Sequence, residues 1–170
     1  MLAGGHCPAC GFDFPTVSPS DVAVAARSYP RRYRALLLRP DEEDPGIVHR
    51  RPGPGLPSAA EHALEAAAGM AAAAEGLLRL RAQERPPVDL DPPVAGDGAT
   101  LEAVLERLDA GAGALAAAVE ALHGDEWGRR LVGGGGQEVN ALDVARAGVH
   151  AGSHHLRAAE RVIDQVRGRP

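Results

Sequence analysis

The chain has 170 residues, with 18 Arg and Lys against 23 Asp and Glu, and a formal net charge of −5. At 45% hydrophobic and 24% charged residues it is long and apolar enough for one globular domain, and its acidity argues against broad nucleic-acid binding. Because no apolar stretch could span a membrane and the first residues lack a secretory signal pattern, we expect a cytoplasmic protein with neither nucleic-acid nor membrane partners.

A short head, residues 1–17, contains the sequence H-C-P-A-C-G, which begins at His6. Two Cys separated by two residues and followed by Gly have the spacing of a zinc knuckle. We interpret Cys7 and Cys10 as half of a metal site, for which His6 and His49 are candidate ligands, or alternatively as a reduced pair without metal. A thioredoxin-like redox role would need a βαβ pattern, which the sequence lacks.

Four segments with helical periodicity follow the head, and none shows the alternation of a β-strand. Ser18 and Ser58 are predicted N-caps of the first two helices, and Glu61 completes a capping box with Ser58. Pro30 should kink or break the first helix. The helices are expected over about residues 19–39, 58–83, 100–123 and 138–166.

Four amphipathic helices without a convincing strand predict an all-α fold, a four-helix bundle over residues 18–170. The Pro- and Gly-rich loops at 40–57 and 85–98 are longer than the roughly 2–8 residues that an up-down bundle needs. At least one long loop is therefore expected to cross over the bundle.

The last predicted helix carries the densest candidate site, the segment V-H-A-G-S-H-H at 149–155. His150 and His154 are four residues apart, so they share one face and can chelate a transition metal. A solvated polar flank is the alternative interpretation. His155 points about 100° away from His154, where it can support a ligand.

A catalytic metal site needs a third protein ligand, which must come from another helix. The second helix offers His62 and Glu65. Counting about 100° per residue from Leu64 puts Glu65 at the angular offset of His150 and puts His62 on the back of the helix. Helix geometry favours Glu65, whereas ligand chemistry favours His62. In the alternative interpretation both belong to an exposed first turn.

Four motifs together resemble a known family. They occur in a fixed order along most of the chain, as C-x2-C-G-F-D at 7–13, Y-P-R-R-Y-R at 29–34, R-R-P-G-P-G-L-P-S at 50–58 and L-D-x-A-R-x3-H-x3-H-H-L at 142–156. With these motifs the chain resembles actinobacterial members of the DinB/YfiT-like metalloenzymes with a CxxCGFD head, which are related to mycothiol-dependent maleylpyruvate isomerase.

The resemblance implies a four-helix bundle with a non-sequential connection and a site of three histidines that holds zinc or nickel. Two of these match His150 and His154. The third position, four residues after Glu61, is Glu65 in this chain. The implied metal set is therefore Glu65, His150 and His154, with His62 as the alternative to Glu65, and Cys7 and Cys10 would form a second metal site.

The resemblance also implies an activity. Relatives include thiol S-transferases that use bacillithiol or mycothiol, and a mycothiol-dependent isomerase, so the expected partners are a small-molecule thiol such as mycothiol and an electrophile. A bound metal would lower the pKa of a thiol or a water molecule. The alternative function is a binding or structural module, a metal-free or degenerate bundle with a zinc-stabilised head. A homodimer is compatible with both, and no catalytic or cofactor-binding residue is assigned.

Overall fold

The computed structural model describes residues 5–39, 44, 46–94 and 98–168. Within this part the chain forms four α-helices, a few short 3₁₀ turns and one two-stranded antiparallel hairpin, which confirms the predicted four-helix bundle. The elements in chain order are α1 (Pro19–Leu37), α2 (Ala59–Ala82), α3 (Leu101–Glu120), β1 (Arg130–Val132), β2 (Glu138–Asn140) and α4 (Ala141–Val166).

The predicted caps of α1 and α2 are present. Ser58 Oγ accepts a hydrogen bond from the Glu61 N–H over 3.2 Å, and Glu61 Oε2 accepts one from the Ser58 N–H over 2.7 Å. Ser18 and Asp21 form the same reciprocal box at α1. Each box satisfies backbone donors that the first helical turn cannot satisfy itself, so both helices begin where the sequence predicts.

Of the two effects predicted for Pro30, a kink or a break, the break is wrong, because α1 continues through it. The two tyrosines that flank Pro30 are buried and tie α1 to α4. Tyr29 Oη donates to the Val149 carbonyl over 2.8 Å, and Tyr33 Oη donates to the Gly152 carbonyl over 3.0 Å. This packing outweighs the local cost of a proline inside a helix.

The hairpin was not predicted, and it shortens the last helix. Residues 138–140, expected in that helix, form β2 instead, with Leu131 of β1 opposite Val139 of β2. The Val88 N–H also donates to the Val132 carbonyl over 2.9 Å, so the loop between α2 and α3 lies alongside the hairpin. Leu131 is fully buried, so burial of apolar side chains at the end of the bundle stabilises strands of only three residues.

The helices do not pack in chain order. α1 packs against α3 and α4, and α2 also packs against α3 and α4, whereas α1 and α2 make few contacts with each other. The connections from α1 to α2 and from α3 to α4 therefore cross the bundle diagonally, which confirms the predicted crossover.

α2 and α4 run antiparallel at short range. Gly69 of α2 faces Ala151 of α4, where an added Cβ would lie 2.7 Å from the Ala151 Cβ. Such small residues permit close approach of two helices, and this approach places the first turns of α2 beside the middle of α4. In the part of the chain that the structure describes, no helix combines the length and apolarity that crossing a membrane requires.

Candidate metal centre

The head turns back on itself between Cys7 and Phe12. The Cys7 N–H donates to the Phe12 carbonyl, and the Gly11 N–H donates to the Cys7 carbonyl, each over 2.8 Å. Gly11 has a φ of +77°, a left-handed conformation that favours Gly. The turn holds the Cys7 and Cys10 side chains together, so that their sulfur atoms lie within 4.8 Å of each other.

Arginines of α4 fasten the head to that helix. Arg146 donates from Nε to the Val17 carbonyl over 2.9 Å and from Nη2 to the Pro15 carbonyl over 3.1 Å. Arg161 donates from Nη1 to the Ala9 carbonyl over 3.2 Å. Both arginines bind backbone oxygens, so they fix the path of the head rather than any one of its side chains.

Two aromatic side chains of the head cover His150. The ring centroids of Phe12 and Phe14 lie 5.4 Å and 4.9 Å from that of His150. His150 Nε2 is buried and has no hydrogen-bond partner, alone in this respect among the side-chain nitrogens and oxygens of the described residues. An unpaired buried polar atom of this kind is costly, so it points to a ligand.

Cys7, Cys10, His150 and His154 form the first cluster, which we call the Cys/His cluster. One ligand atom from each side chain lies within 4.8 Å of the ligand atoms of the others. Cys7 Sγ lies 3.7 Å from His154 Nδ1. The half-site predicted in the head is thus next to the histidine pair of α4, and this group contains neither His6 nor His49.

Burial and the neighbouring His154 lower the pKa of His150 to about 4, and burial is also the main cause that lowers the pKa of His154. Burial raises the pKa of Cys10. At Cys7 burial acts in the same direction, but the backbone N–H groups of Cys10 and Ala9 outweigh it and lower the pKa. Both imidazoles are therefore neutral at pH 7, which is the protonation state that binds a metal.

His62, Glu65 and His155 form the second cluster, which we call the His/Glu cluster. Glu65 Oε2 lies 2.7 Å from His62 Nδ1 and 3.1 Å from His155 Nδ1, and the two Nδ1 atoms are 3.3 Å apart. Hydrogen bonds from His155 and His62 lower the pKa of Glu65 to about 2. Glu65 is therefore a carboxylate at neutral pH.

The structure divides the predicted ligand set between the two clusters. Glu65 groups with His62 and His155 rather than with His150 and His154, and His62 accompanies Glu65 rather than replacing it. Metal binding by any of these residues stays a prediction.

The expectation that His62 lies on the back of α2 assumes a single apolar face centred near Leu64. Leu78, which a count of about 100° per residue places near the Leu64 face, is 51% exposed, whereas Ala63, Ala66 and Ala73 on other faces are buried. α2 packs against two helices, so most of its circumference is buried. The His62 side chain is accordingly only 14% exposed and faces α4.

A cleft of about 380 Å³ lies beside both clusters. Phe14 of the head contributes one wall, and His150, His154 and His155 of α4 contribute another. The loops add polar side chains to the lining, namely Asp89, Asp91 and Gln137. The cleft gives small molecules access to histidines of both clusters.

Sequence reasoning missed His155 as a member of a cluster, and it missed the three polar residues of the cleft. For His155 a signal existed. Neighbours on a helix point about 100° apart, so His155 can reach a different element from the one that His154 contacts. For Asp89, Asp91 and Gln137 no motif distinguished them from other loop residues.

Comparison with known proteins agrees with the fold. The model of a family described as the DinB superfamily matches residues 29–159. Among solved structures, YfiT from Bacillus subtilis matches with a TM-score of 0.70 and 12% identity, over 99% of this chain and 97% of that one, and is described as a probable metal-dependent hydrolase with an unusual four-helix bundle topology. At this identity the likeness shows the fold alone. No curated protein matches the sequence.

Proposed function

The chain belongs to the DinB superfamily, and from this premise we propose that it is a metal-dependent enzyme that transfers a group to a low-molecular-weight thiol such as mycothiol. His62, Glu65 and His155 would hold the metal. The observation that carries the proposal is the convergence of two imidazoles and one carboxylate beside the cleft.

The donor set fits zinc. Two His and one Glu form a ligand set of zinc enzymes, in which the fourth position stays open for a substrate. The three donor atoms lie 2.7–3.3 Å apart, and Glu65 is already ionised. A carboxylate in the set favours zinc over nickel or copper.

A divalent metal in this set would lower the pKa of a thiol or a water molecule, which supplies a nucleophile at neutral pH. The chain's own residues would bind and orient the reactants. His155 belongs to the cluster and also lines the cleft, so it connects the two. Asp89, Asp91 and Gln137 line the same cleft with groups that can hydrogen-bond to the hydroxyls of a sugar-bearing thiol.

Hydrolysis is the second candidate function. The structural likeness to YfiT, which is described as a probable metal-dependent hydrolase, favours it. The same nucleophile argument applies, with water instead of the thiol. The cleft would then hold an ester or amide substrate without a thiol co-substrate.

The test is a paired assay of the zinc-loaded protein with an alkylating electrophile, with and without mycothiol, and with activated esters. We expect conjugation that depends on mycothiol and that falls at least about 100-fold in Glu65→Gln, because removal of a zinc-binding carboxylate removes the nucleophile. Glu75→Gln, on the exposed side of the same helix, is the control. Ester hydrolysis without conjugation would favour the second candidate, and equal activity of Glu65→Gln and the wild type would refute both.

A further inference from the structure

We infer that the Cys/His cluster is a second, closed metal site, a structural zinc that cross-links the head to α4. It goes beyond the proposed function, because none of its four ligands belongs to the His/Glu cluster. Cys7 and Cys10 would supply two thiolates, and His150 and His154 would supply two imidazoles.

The first argument is the donor set. Two Cys and two His are a common ligand set of structural zinc sites, and four protein ligands leave no position for a substrate. The head presents its two Cys from one tight turn, and α4 presents its two His from successive turns of one face. Each half is a two-ligand chelate, and neither is a complete site alone.

The second argument is the spacing. In a tetrahedral zinc site, bond lengths of about 2.3 Å to sulfur and about 2.0–2.1 Å to nitrogen imply a sulfur–nitrogen separation of about 3.6 Å. Cys7 Sγ lies 3.7 Å from His154 Nδ1. The ligand atoms of all four side chains are within 4.8 Å of one another, so modest movement of side chains completes the tetrahedron.

The third argument is the unpaired His150 Nε2. This atom is buried behind Phe12 and Phe14 and has no hydrogen-bond partner. Buried polar atoms nearly always have a partner. A metal bound by this ring would provide one, whereas a cluster that only packs the head against α4 would be better served by an apolar side chain.

The cross-link would also shape the cleft. Phe14 of the head lines it together with His150 and His154. Apart from packing and the contact of Cys7 with His154, three hydrogen bonds from arginine side chains of α4 hold the head on that helix among the described residues. These hydrogen bonds end on backbone carbonyls of the head, so the zinc would add bonds to the Cys7 and Cys10 side chains and fix them beside this wall.

The test uses cobalt(II) in place of zinc, because thiolate ligands give a charge-transfer absorption that imidazole and carboxylate ligands do not. We expect the reduced wild type to bind about two metal ions per chain and to show this absorption. Cys7→Ser and His150→Ala should each lose it, together with about one metal ion. His150→Cys, which restores four ligands, should regain it even if His150→Ala folds poorly. His6→Ala, an exposed head residue outside the cluster, should match the wild type.

The outcomes separate the two sites. Glu65→Gln should keep the charge-transfer absorption and lose only the other metal ion. Absence of the absorption in the wild type, or its persistence in His150→Ala, would overturn the closed site and leave the proposed function standing. Loss of activity in Glu65→Gln with an unchanged metal content would instead count against the His/Glu cluster.

Discussion

His154 and His155 are neighbours in α4, yet their rings join different clusters. His154 Nδ1 lies 3.7 Å from Cys7 Sγ of the head, whereas His155 Nδ1 lies 3.1 Å from Glu65 Oε2 of α2. The two ring centroids are 5.2 Å apart. Two consecutive residues of one helix therefore bring a cysteine-containing and a carboxylate-containing environment into contact.

Substitution of these two neighbours should separate the clusters. We expect His154→Ala to abolish the thiolate–cobalt absorption and His155→Ala to preserve it, while each variant loses about one metal ion per chain. Absorption spectra and elemental analysis of the two purified variants provide the measurement. If both variants lost the same metal ion, the clusters would be one shared site.

Removal of zinc should loosen the head. Phe12 is half-buried against His150, and it is a chymotrypsin site, whereas Phe14 precedes Pro15 and resists cleavage. We expect a chelator to accelerate cleavage after Phe12 at least about tenfold, since a segment released by local unfolding is the part that proteases attack.

Mass spectrometry of timed digests measures this cleavage. The control is Cys7→Ser, which should be cleaved rapidly whether or not the chelator is present. A wild-type cleavage rate that does not respond to the chelator would show that packing and the arginine hydrogen bonds hold the head without zinc.

Gly152 of α4 lies against the ring of Tyr29 of α1. An added Cβ would lie 2.5 Å from the Tyr29 ring, so Gly152→Ala should destabilise the fold by about 1–3 kcal/mol through overpacking. Gly113→Ala in α3 is the matched control, because its Cβ would meet no atom within 4 Å. The control should be stabilised by up to about 1 kcal/mol, since Ala is the better helix former. Urea denaturation gives both values, and equal effects of the two substitutions would contradict the packing argument.

Stability should depend on pH through the capping box of α2. Hydrogen bonding to Arg51, together with Ser58, lowers the pKa of Glu61 from 4.5 to about 2. A lowered carboxyl pKa stabilises the fold fully above the unfolded value of 4.5, and this contribution is lost as the pH falls towards 2. Because Arg51 and Glu61 are partly exposed, we expect about 1 kcal/mol or less.

The comparison uses Glu61→Gln, which keeps the capping box but cannot ionise. The wild type should be more stable than this variant at about pH 6, and the difference should shrink at about pH 3. Urea titrations in the presence of a chelator remove any contribution of bound metal. A difference that stays constant over this range would rule out Glu61 as the source.

The sequence predicted local features well. The start of α2 at Ser58 and Glu61 follows from side chains that bond to backbone groups three residues away. A short segment of sequence is therefore enough to predict it. The strands around Leu131 and Val139 are too short to show alternation, and they form only because their apolar side chains are buried beside the bundle.

The candidate site was predictable only in its halves. The Cys pair and the His pair each have a recognisable spacing, but Cys7 and His154 lie 147 residues apart, and helical periodicity carries no information about such a contact. The predicted direction of the His62 side chain did not match the structure for a related reason. It depends on how many helices pack against α2, and that number is a property of the whole bundle.

The separation of Cys7 from His154 has a consequence for biosynthesis. At about 5–20 residues per second, the ribosome adds His154 about 7–30 s after Cys7, which is 147 residues earlier. Throughout this interval the two thiols have no imidazole partners from the last helix and can react with oxidants. The head would therefore complete the proposed zinc site only after α4 is made, and the redox state during translation would decide how many chains could form that site.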